Sequence, residues 1–528
     1  MQMKAALPAP GNKLQEMLRR YCDESHPFSP LDAGLLDGDA RKFFFDTQLD
    51  IFSGYQEKPQ MVVGRRGAGK TAFLQSAHFT NSRDLIVSIN KADALGQIVL
   101  AVNGIPQGGR YPEAIAALWD GVILTTILSQ AIRTFKELKV ARDYLGKIGA
   151  GHNASSDTIA WTLLNTIRDT QKGKTASTIA ELIARLHGVS FHDAKQELFG
   201  ALQQRGAKVI VLIDSLESEG YLFEDSDTVS ALRGLLKWIG DTGSSRHPIE
   251  PRMSIPGEYY RRFLAISSNP LKDFAKCSIL KWRQRQLMAL AANRLRSYLA
   301  IFDRENYIKW SEEDLSDPKK ALALFRQYLP DRVTLADGRT EDSFIYVLRH
   351  TQLIPRQLFI ILNAMLWWLP DLKNRTLSPE EFRIQNLALL HDNFRFAVDI
   401  VLREIFGAYN HLHPAASNIS QRVFPDLPEV FSYGELHKAY NRFGKREGLE
   451  LGDFVDMLIE IGAIGRVVEK SGKYVLGEFQ YNYDSLLVAS SKSVMCMHPI
   501  FRLMYPNSSL RMPSSVWPIG VEAYVAVQ

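Results

Sequence analysis

Apolar runs too short for helices punctuate the first half of the chain, and helical stripes dominate the second. Residues 61–63, 84–90 and 208–214 are near-continuous apolar runs bounded by polar residues. Such runs read as strands buried on both faces of a parallel sheet. Residues 262–269 read as a further strand with polar residues at its carboxyl end. Between the strands, apolar residues recur at helical spacing: 114–132 around Trp119, 176–186, 192–202, and 225–239 with Val229, Leu232, Leu235, Leu236 and Ile239 on one face. Strands alternating with helices predict an α/β fold built on a parallel sheet. The Gly- and Ser-rich residues 146–157 and the Gly/Ser/Pro-rich residues 240–256 read as loops.

From Leu280 to about residue 410 the pattern is all-helical, with Leu287, Leu290, Ala291, Leu295 and Tyr298 forming one stripe and 344–348 and 358–368 forming others. Ser432 and Glu435 resemble a capping box opening a helix over 432–440. A second helix spans 451–461, and 466–469 and 474–481 flank a Ser471-Gly472 turn. Helix, helix, hairpin is the order of a winged helix. At the other end, Leu14, Met17, Leu18 and Tyr21 predict a short amphipathic helix, broken by Pro27 and Pro30. The expected organisation is an N-terminal helical segment (1–44) and an α/β core (45–280) with a helical insertion at about 110–200. A helical region (281–410), a winged helix (411–505) and a C-terminal tail (506–528) follow. Residues 41–59 lead into the first strand and are expected to lie against a nucleotide's base.

Composition narrows the function classes. The 528 residues leave room for about three or four domains. A formal charge of +5 is too weak to argue for nucleic acid by itself. The three cysteines, Cys22, Cys277 and Cys496, are far apart, form no metal spacing and fit a reducing compartment. No leader pattern opens the sequence and no run of 18 apolar residues occurs, so a cytoplasmic protein without a membrane span is expected.

The strongest chemical signal follows the first apolar run. Gly64-Arg65-Arg66-Gly67-Ala68-Gly69-Lys70-Thr71 reads G-x-x-x-x-G-K-[ST], a P-loop. Glycines let successive backbone N–H groups converge on one anion. Lys70 supplies a point charge for the β- and γ-phosphates, and the Thr71 hydroxyl is a Mg²⁺ ligand. The helix opening at Lys70 adds its N-terminal dipole. Asp214 ends the 208–214 run, where a strand's carboxyl end delivers a carboxylate toward Mg²⁺. Related ATPases place a glutamate directly after that aspartate, to orient the attacking water. Here the position is Ser215, which leaves Glu217 as the candidate for that role, with a solvated loop residue as the alternative and slow hydrolysis as its consequence. Ser267, Ser268 or Asn269 could sense the γ-phosphate, or simply form a turn before Pro270. Arg356 sits at a helix start, where it opposes the dipole; a nearby anion would explain it, and a surface arginine is the alternative.

These motifs, with Leu280-x-Trp282, Leu287, Arg294-Leu295, Ile354-Pro355-Arg356 and His498-Pro499-x-Phe501, resemble in order the FunZ-like prokaryotic P-loop ATPases. Those are relatives of the STAND and origin-recognition-type AAA+ branches. The resemblance spans roughly residues 45–505 and implies an ATPase core binding ATP and Mg²⁺, a helical lid and a winged helix. It makes Arg356 similar to a lid arginine that contacts the γ-phosphate. It assigns no arginine finger among Arg65, Arg261 and Arg262. It implies a nucleotide-gated switch that assembles with itself or with a protein effector, plausibly in bacterial anti-phage defence. The alternative is a DNA loader or remodeller with the winged helix on duplex; a small-molecule kinase would not need so large a helical region. The charge pattern opposes DNA: the second helix of the winged helix carries Asp453, Asp456 and Glu460 and no Lys or Arg. Residues 432–481 hold seven Lys+Arg against eight Asp+Glu. Lys470 and Lys473 remain a minor contact for nucleic acid.

Overall fold

The computed structural model describes residues 12–32, 36, 40, 44, 59–76, 83–89, 91–103, 111–150, 158–160, 162, 188–214, 223, 225–243, 248–335, 338–369, 381, 387–472, 474–482, 487–490, 492–503 and 514–520. It forms two compact units. One holds residues 52–64 and 70–280; the other holds 1–51, 65–69 and 281–528.

The first unit is an α/β layer structure around a five-stranded, all-parallel sheet. Its strands are β1 (Met61–Gly64), β2 (Leu85–Ile89), β3 (Val209–Ile213), β4 (Ile249–Pro256) and β5 (Cys277–Ile279), in the order β2-β3-β4-β1-β5. Every residue of β1 and β3 is buried, which is why their sequences read as unbroken apolar runs. β2 is an edge strand and alternates instead, with Ile86 exposed and Val87 and Ile89 buried.

β4 corrects the sequence reading, which made 240–256 a loop. Pro251 and Pro256 suggested one, yet both are tolerated for a geometric reason. Met253 donates its N–H toward the β1 side, to the Gln60 carbonyl, and the missing N–H of Pro251 falls on that same side, before the β1 register begins at Met61↔Met253. The missing N–H of Pro256 falls on the β3 side, beyond the last paired residue, Met253. Residues 262–269, read as a strand, instead contribute to a helix at Tyr260–Ile266 and a turn. Asn269 caps the following short helix, its side chain accepting from the Lys272 N–H.

The other helices described in this unit are α1 (Lys70–Leu74), α2 (Lys91–Asn103), α3 (Pro112–Thr134), α4 (Lys139–Lys147), α5 (Val189–Arg205) and α6 (Ser226–Gly243). α3 is buried almost all round. It packs on α6, where Trp119 donates to the Ala231 carbonyl at 2.9 Å and Gly234 leaves room for Ile115. Length and composition alone would let α3 cross a bilayer; here it is a core helix. The Glu197 carboxylate, on α5, accepts from the first backbone N–H groups of α4 at 3.0–3.3 Å, so one helix caps another.

The described residues of the second unit are mostly helical between 284 and 409 and end in a mixed five-stranded sheet. The helices used below are α7 (Gln284–Phe302), α8 (Ser343–Arg349), α9 (Pro355–Met365), α10 (Leu387–Tyr409), α11 (Tyr433–Ala439) and α12 (Leu451–Glu460). β6 (Arg332–Thr334) and β7 (Thr340–Asp342) form a small hairpin. The sheet order is β12-β10-β9-β11-β8, from β8 (Val430–Ser432), β9 (Ile464–Ser471), β10 (Tyr474–Glu478), β11 (Val494–Met497) and β12 (Val516–Pro518). One continuous hydrophobic core runs from Phe28 and α7 through α9 and α10 to Trp517. The expected division near residue 410 therefore corresponds to no break in the core. Residues 516–518, read as tail, pair in parallel with β10. The capping box at Ser432 and Glu435 is present, with both reciprocal bonds formed.

Candidate nucleotide site

The 64–71 motif begins where β1 ends, at the carboxyl edge of the parallel sheet, the edge at which such sheets place their sites. Its described geometry falls in two parts. In the first unit, α1 opens at Lys70, whose side chain is buried, and Thr71 is half-buried. The helix described there spans only five residues, so its dipole contributes less than the sequence suggested. Asp214 follows the last residue of β3. The Thr71 hydroxyl donates to Asp214 Oδ2 at 2.6 Å. The hydroxyl of Ser254, fully buried near the end of β4, donates to Asp214 Oδ1 at 2.6 Å. Both carboxylate oxygens are thus oriented by short, charge-assisted bonds. The interposed strand β4 supplies the second donor, because Ser254 is paired with Val62 of β1 and lies one residue beyond the β3 ladder.

In the second unit lie residues 65–69. Gly67 and Gly69 have φ of +82° and +94°, conformations that favour glycine. Ala68 donates its N–H to the Arg65 carbonyl at 3.0 Å and accepts at its own carbonyl from Trp282 Nε1 at 2.8 Å. The start of α9 packs on Gly67: the Arg356 N–H donates to the Gly67 carbonyl at 3.4 Å. A Cβ at Gly67 would fall 2.7 Å from Arg356 Cβ and 3.2 Å from Ile354 Cγ2. Gly67 is therefore required both by its φ and by this approach. Leu353, just before α9, holds a positive φ of 52°, a strained setting for a leucine.

Charge around the loop is unevenly used. Glu404, half-buried on α10, has its carboxyl pushed above the usual range by burial, with Arg356 and Arg66 pulling it back. Arg65 turns elsewhere. Its guanidinium donates to Gln352 Oε1 at 2.7 Å and to the Glu460 carbonyl at 2.6 Å, and lies 5.6 and 5.5 Å from the ring centres of Tyr409 and Tyr481.

The structure thus joins Thr71 to Asp214, and Arg356 to the loop at Gly67. Ser215 and Glu217 lie outside the described residues. Of the two readings of Ser267, Ser268 and Asn269, phosphate sensors or a simple turn, the structure has the turn rather than a strand end, with Ser267 donating to Asp273 Oδ2 at 2.6 Å. Ser254 takes the strand-end position instead; its only sequence signal is a hydroxyl between the apolar Met253 and Ile255. Among the described residues, no group of three or more His, Cys, Asp or Glu side chains could hold a metal ion by themselves. That leaves a Thr hydroxyl with one carboxylate, a donor set suited to a cation also bound by phosphate oxygens. Most of the segment 41–59 lies outside the described residues. No protein-family model matches this chain, and it has no significant match among the curated proteins.

Proposed function

We propose that this chain is a P-loop ATPase acting as a nucleotide-dependent switch, binding ATP with Mg²⁺ on residues 64–71 and Asp214. One observation carries the reading: the Thr71 hydroxyl and the Asp214 carboxylate meet at 2.6 Å, the two side chains between which a P-loop protein holds its cation. Ser254 supports it by fixing the other oxygen of Asp214. Thr71 and Asp214 would hold Mg²⁺, which when bound neutralises charge on the β- and γ-phosphate oxygens. Lys70 binds the same phosphates, and the N–H groups of the glycine-rich loop orient them. Arg356, whose backbone N–H meets Gly67 at the start of α9, is the candidate for the γ-phosphate that the resemblance supplies. Glu217 is the candidate that orients water.

On this reading the fold is a P-loop NTPase core followed by a helical lid and a winged helix. The helix that would enter a major groove in a DNA-binding winged helix, α12, exposes Gly452, Asp453 and Asp456 and buries Phe454, Val455, Met457, Leu458 and Ile459. An acidic outer face repels phosphate. It supports self-assembly or a protein effector over duplex DNA. Lys470 is exposed on β9, and Lys473 lies outside the described residues.

The test is the mass of the full chain in solution with and without a slowly hydrolysed ATP analogue, and with duplex DNA. Analogue-dependent assembly, absent in Lys70→Ala, supports the switch. DNA-dependent assembly with a steep salt slope favours a loader, and a mass indifferent to both nucleotide and DNA argues against both.

A further inference from the structure

Arg65 occupies the first variable position of the phosphate loop, yet its guanidinium is taken up by the end of α12 and the sheet hairpin. The bond to the Glu460 carbonyl, 2.6 Å, places a cation at a helix C-terminus, where the unsatisfied carbonyls favour it. The bond to Gln352 Oε1 reaches the turn before α9. Tyr409 and Tyr481 flank the planar group from α10 and from just after β10.

Gln352 is the junction of this arrangement. Its Nε2 donates to the Ile461 carbonyl at 2.7 Å, and its backbone N–H donates to Gln357 Oε1 at 2.7 Å. The next residue is Leu353 with its positive φ, and Arg356 follows three residues later. Gly462 closes the far side: with φ of +73°, a Cβ there would sit 2.6 Å from Gln352 Nε2 and 3.1 Å from Tyr481. His413 Nε2 lies 2.8 Å from a Glu460 carboxylate oxygen, which holds the helix end from the other direction. The turn carrying Arg356 and the end of α12 are therefore tied to one loop side chain through one buried amide.

Resting on the ATP-binding reading, we propose that Arg65 is a positioning residue that transmits nucleotide occupancy of the loop, through Gln352, to the end of α12 and the β9–β10 hairpin. The geometry favours a tether over an arginine finger. Its Nη1 and Nη2 both donate inside the unit and two aromatic rings lie 5.5–5.6 Å away, a set of contacts that suits a planar guanidinium and that a lysine's single ammonium does not reproduce. A shift of the loop backbone on binding phosphate then moves a group bonded to Gln352 and to the end of α12. The strained turn at Leu353 is held by its surroundings, so loosening Gln352 frees it.

Hydrogen exchange of the full-length protein, with and without MgATP, tests this. In the wild type, MgATP is expected to alter exchange over 61–76 and also over 456–482. Gln352→Ala leaves the loop sequence intact. It should retain ATP affinity within about threefold, keep the response at 61–76 and lose most of it at 456–482. Arg65→Lys keeps the charge without the fork and should weaken the 456–482 response. The proposal is overturned if Gln352→Ala and Arg65→Lys, each folded by circular dichroism, retain the full 456–482 response. It is equally overturned if the wild type binds ATP with no response there. A wild type that binds no ATP would instead overturn the nucleotide reading, and this inference with it.

Discussion

Gly67→Ala puts a number on the loop. Two costs follow from the structure. The first is conformational: φ at Gly67 is +82°, and a side chain in the left-handed region costs about 1–2 kcal/mol. The second is steric: the new Cβ would lie 2.7 Å from Arg356 Cβ, where carbon atoms pack best at about 3.5–4.0 Å. Both atoms are fixed to backbone, so no rotamer change relieves the overlap. Either the loop or the start of α9 must move, and overpacking of this kind costs about 1–3 kcal/mol. The total is about 2–5 kcal/mol. If the loop keeps its shape, the loss appears in stability. If the loop yields, it appears in ATP affinity, at about tenfold per 1.4 kcal/mol. Urea unfolding and calorimetric ATP titration of the same variant therefore read complementary parts of one quantity. Gly448→Ala is the control, because Gly448 has φ of +76° with nothing near its would-be Cβ and so carries the first cost alone. The reasoning is refuted if Gly67→Ala costs no more than Gly448→Ala and binds ATP as the wild type does.

Three further outcomes are expected. Ser254→Ala removes a hydrogen bond to a carboxylate, worth about 1.5–3 kcal/mol, and should raise the Mg²⁺ concentration needed for ATP binding by about tenfold in a magnesium titration; an unshifted curve would show that Ser254 does not orient Asp214. Arg356→Ala should leave the fold intact while uncoupling ATP binding from turnover or assembly, measured by phosphate release and solution mass; if all three stay at wild-type values, Arg356 reads no phosphate. His498 is fully buried, and burial pulls its pKa from 6.5 down to about 3, so the folded protein keeps it neutral while the unfolded chain protonates it. Stability should therefore be full above about pH 6.5 and fall as the pH drops toward 3. His498→Gln should lessen the loss between pH 7 and 5 by about 2 kcal/mol in urea titrations, and equal slopes would contradict this.

Much of the parallel sheet was legible because β1 and β3 are buried on both faces, which forces unbroken apolar runs. The strand between them was not. β4 carries Pro251, Arg252 and Pro256, and only the register shows that each missing N–H faces a point where no neighbour is waiting. Residues 262–269 read as a strand because Phe263, Leu264, Ala265 and Ile266 form a short apolar run, which periodicity alone does not separate from a short helix. Thr71 and Asp214 were readable from spacing and strand-end position. Ser254 was not, because a lone serine between apolar residues has no pattern until β4 is placed. Arg65 shows a different limit: the motif locates its backbone, but only the fold reveals where its guanidinium goes. β11 and β12 were missed because each is short and joins its sheet through partners distant in sequence.

Calorimetric titration of the full chain with ATP in excess Mg²⁺ tests the central claim most directly, run beside Lys70→Ala and Asp214→Ala. The account predicts saturable binding by the wild type, at least about tenfold weaker binding by Lys70→Ala, and weakened Mg²⁺-dependent binding by Asp214→Ala. Wild-type binding that survives unchanged in a folded Lys70→Ala, or no binding by the wild type at all, would contradict it.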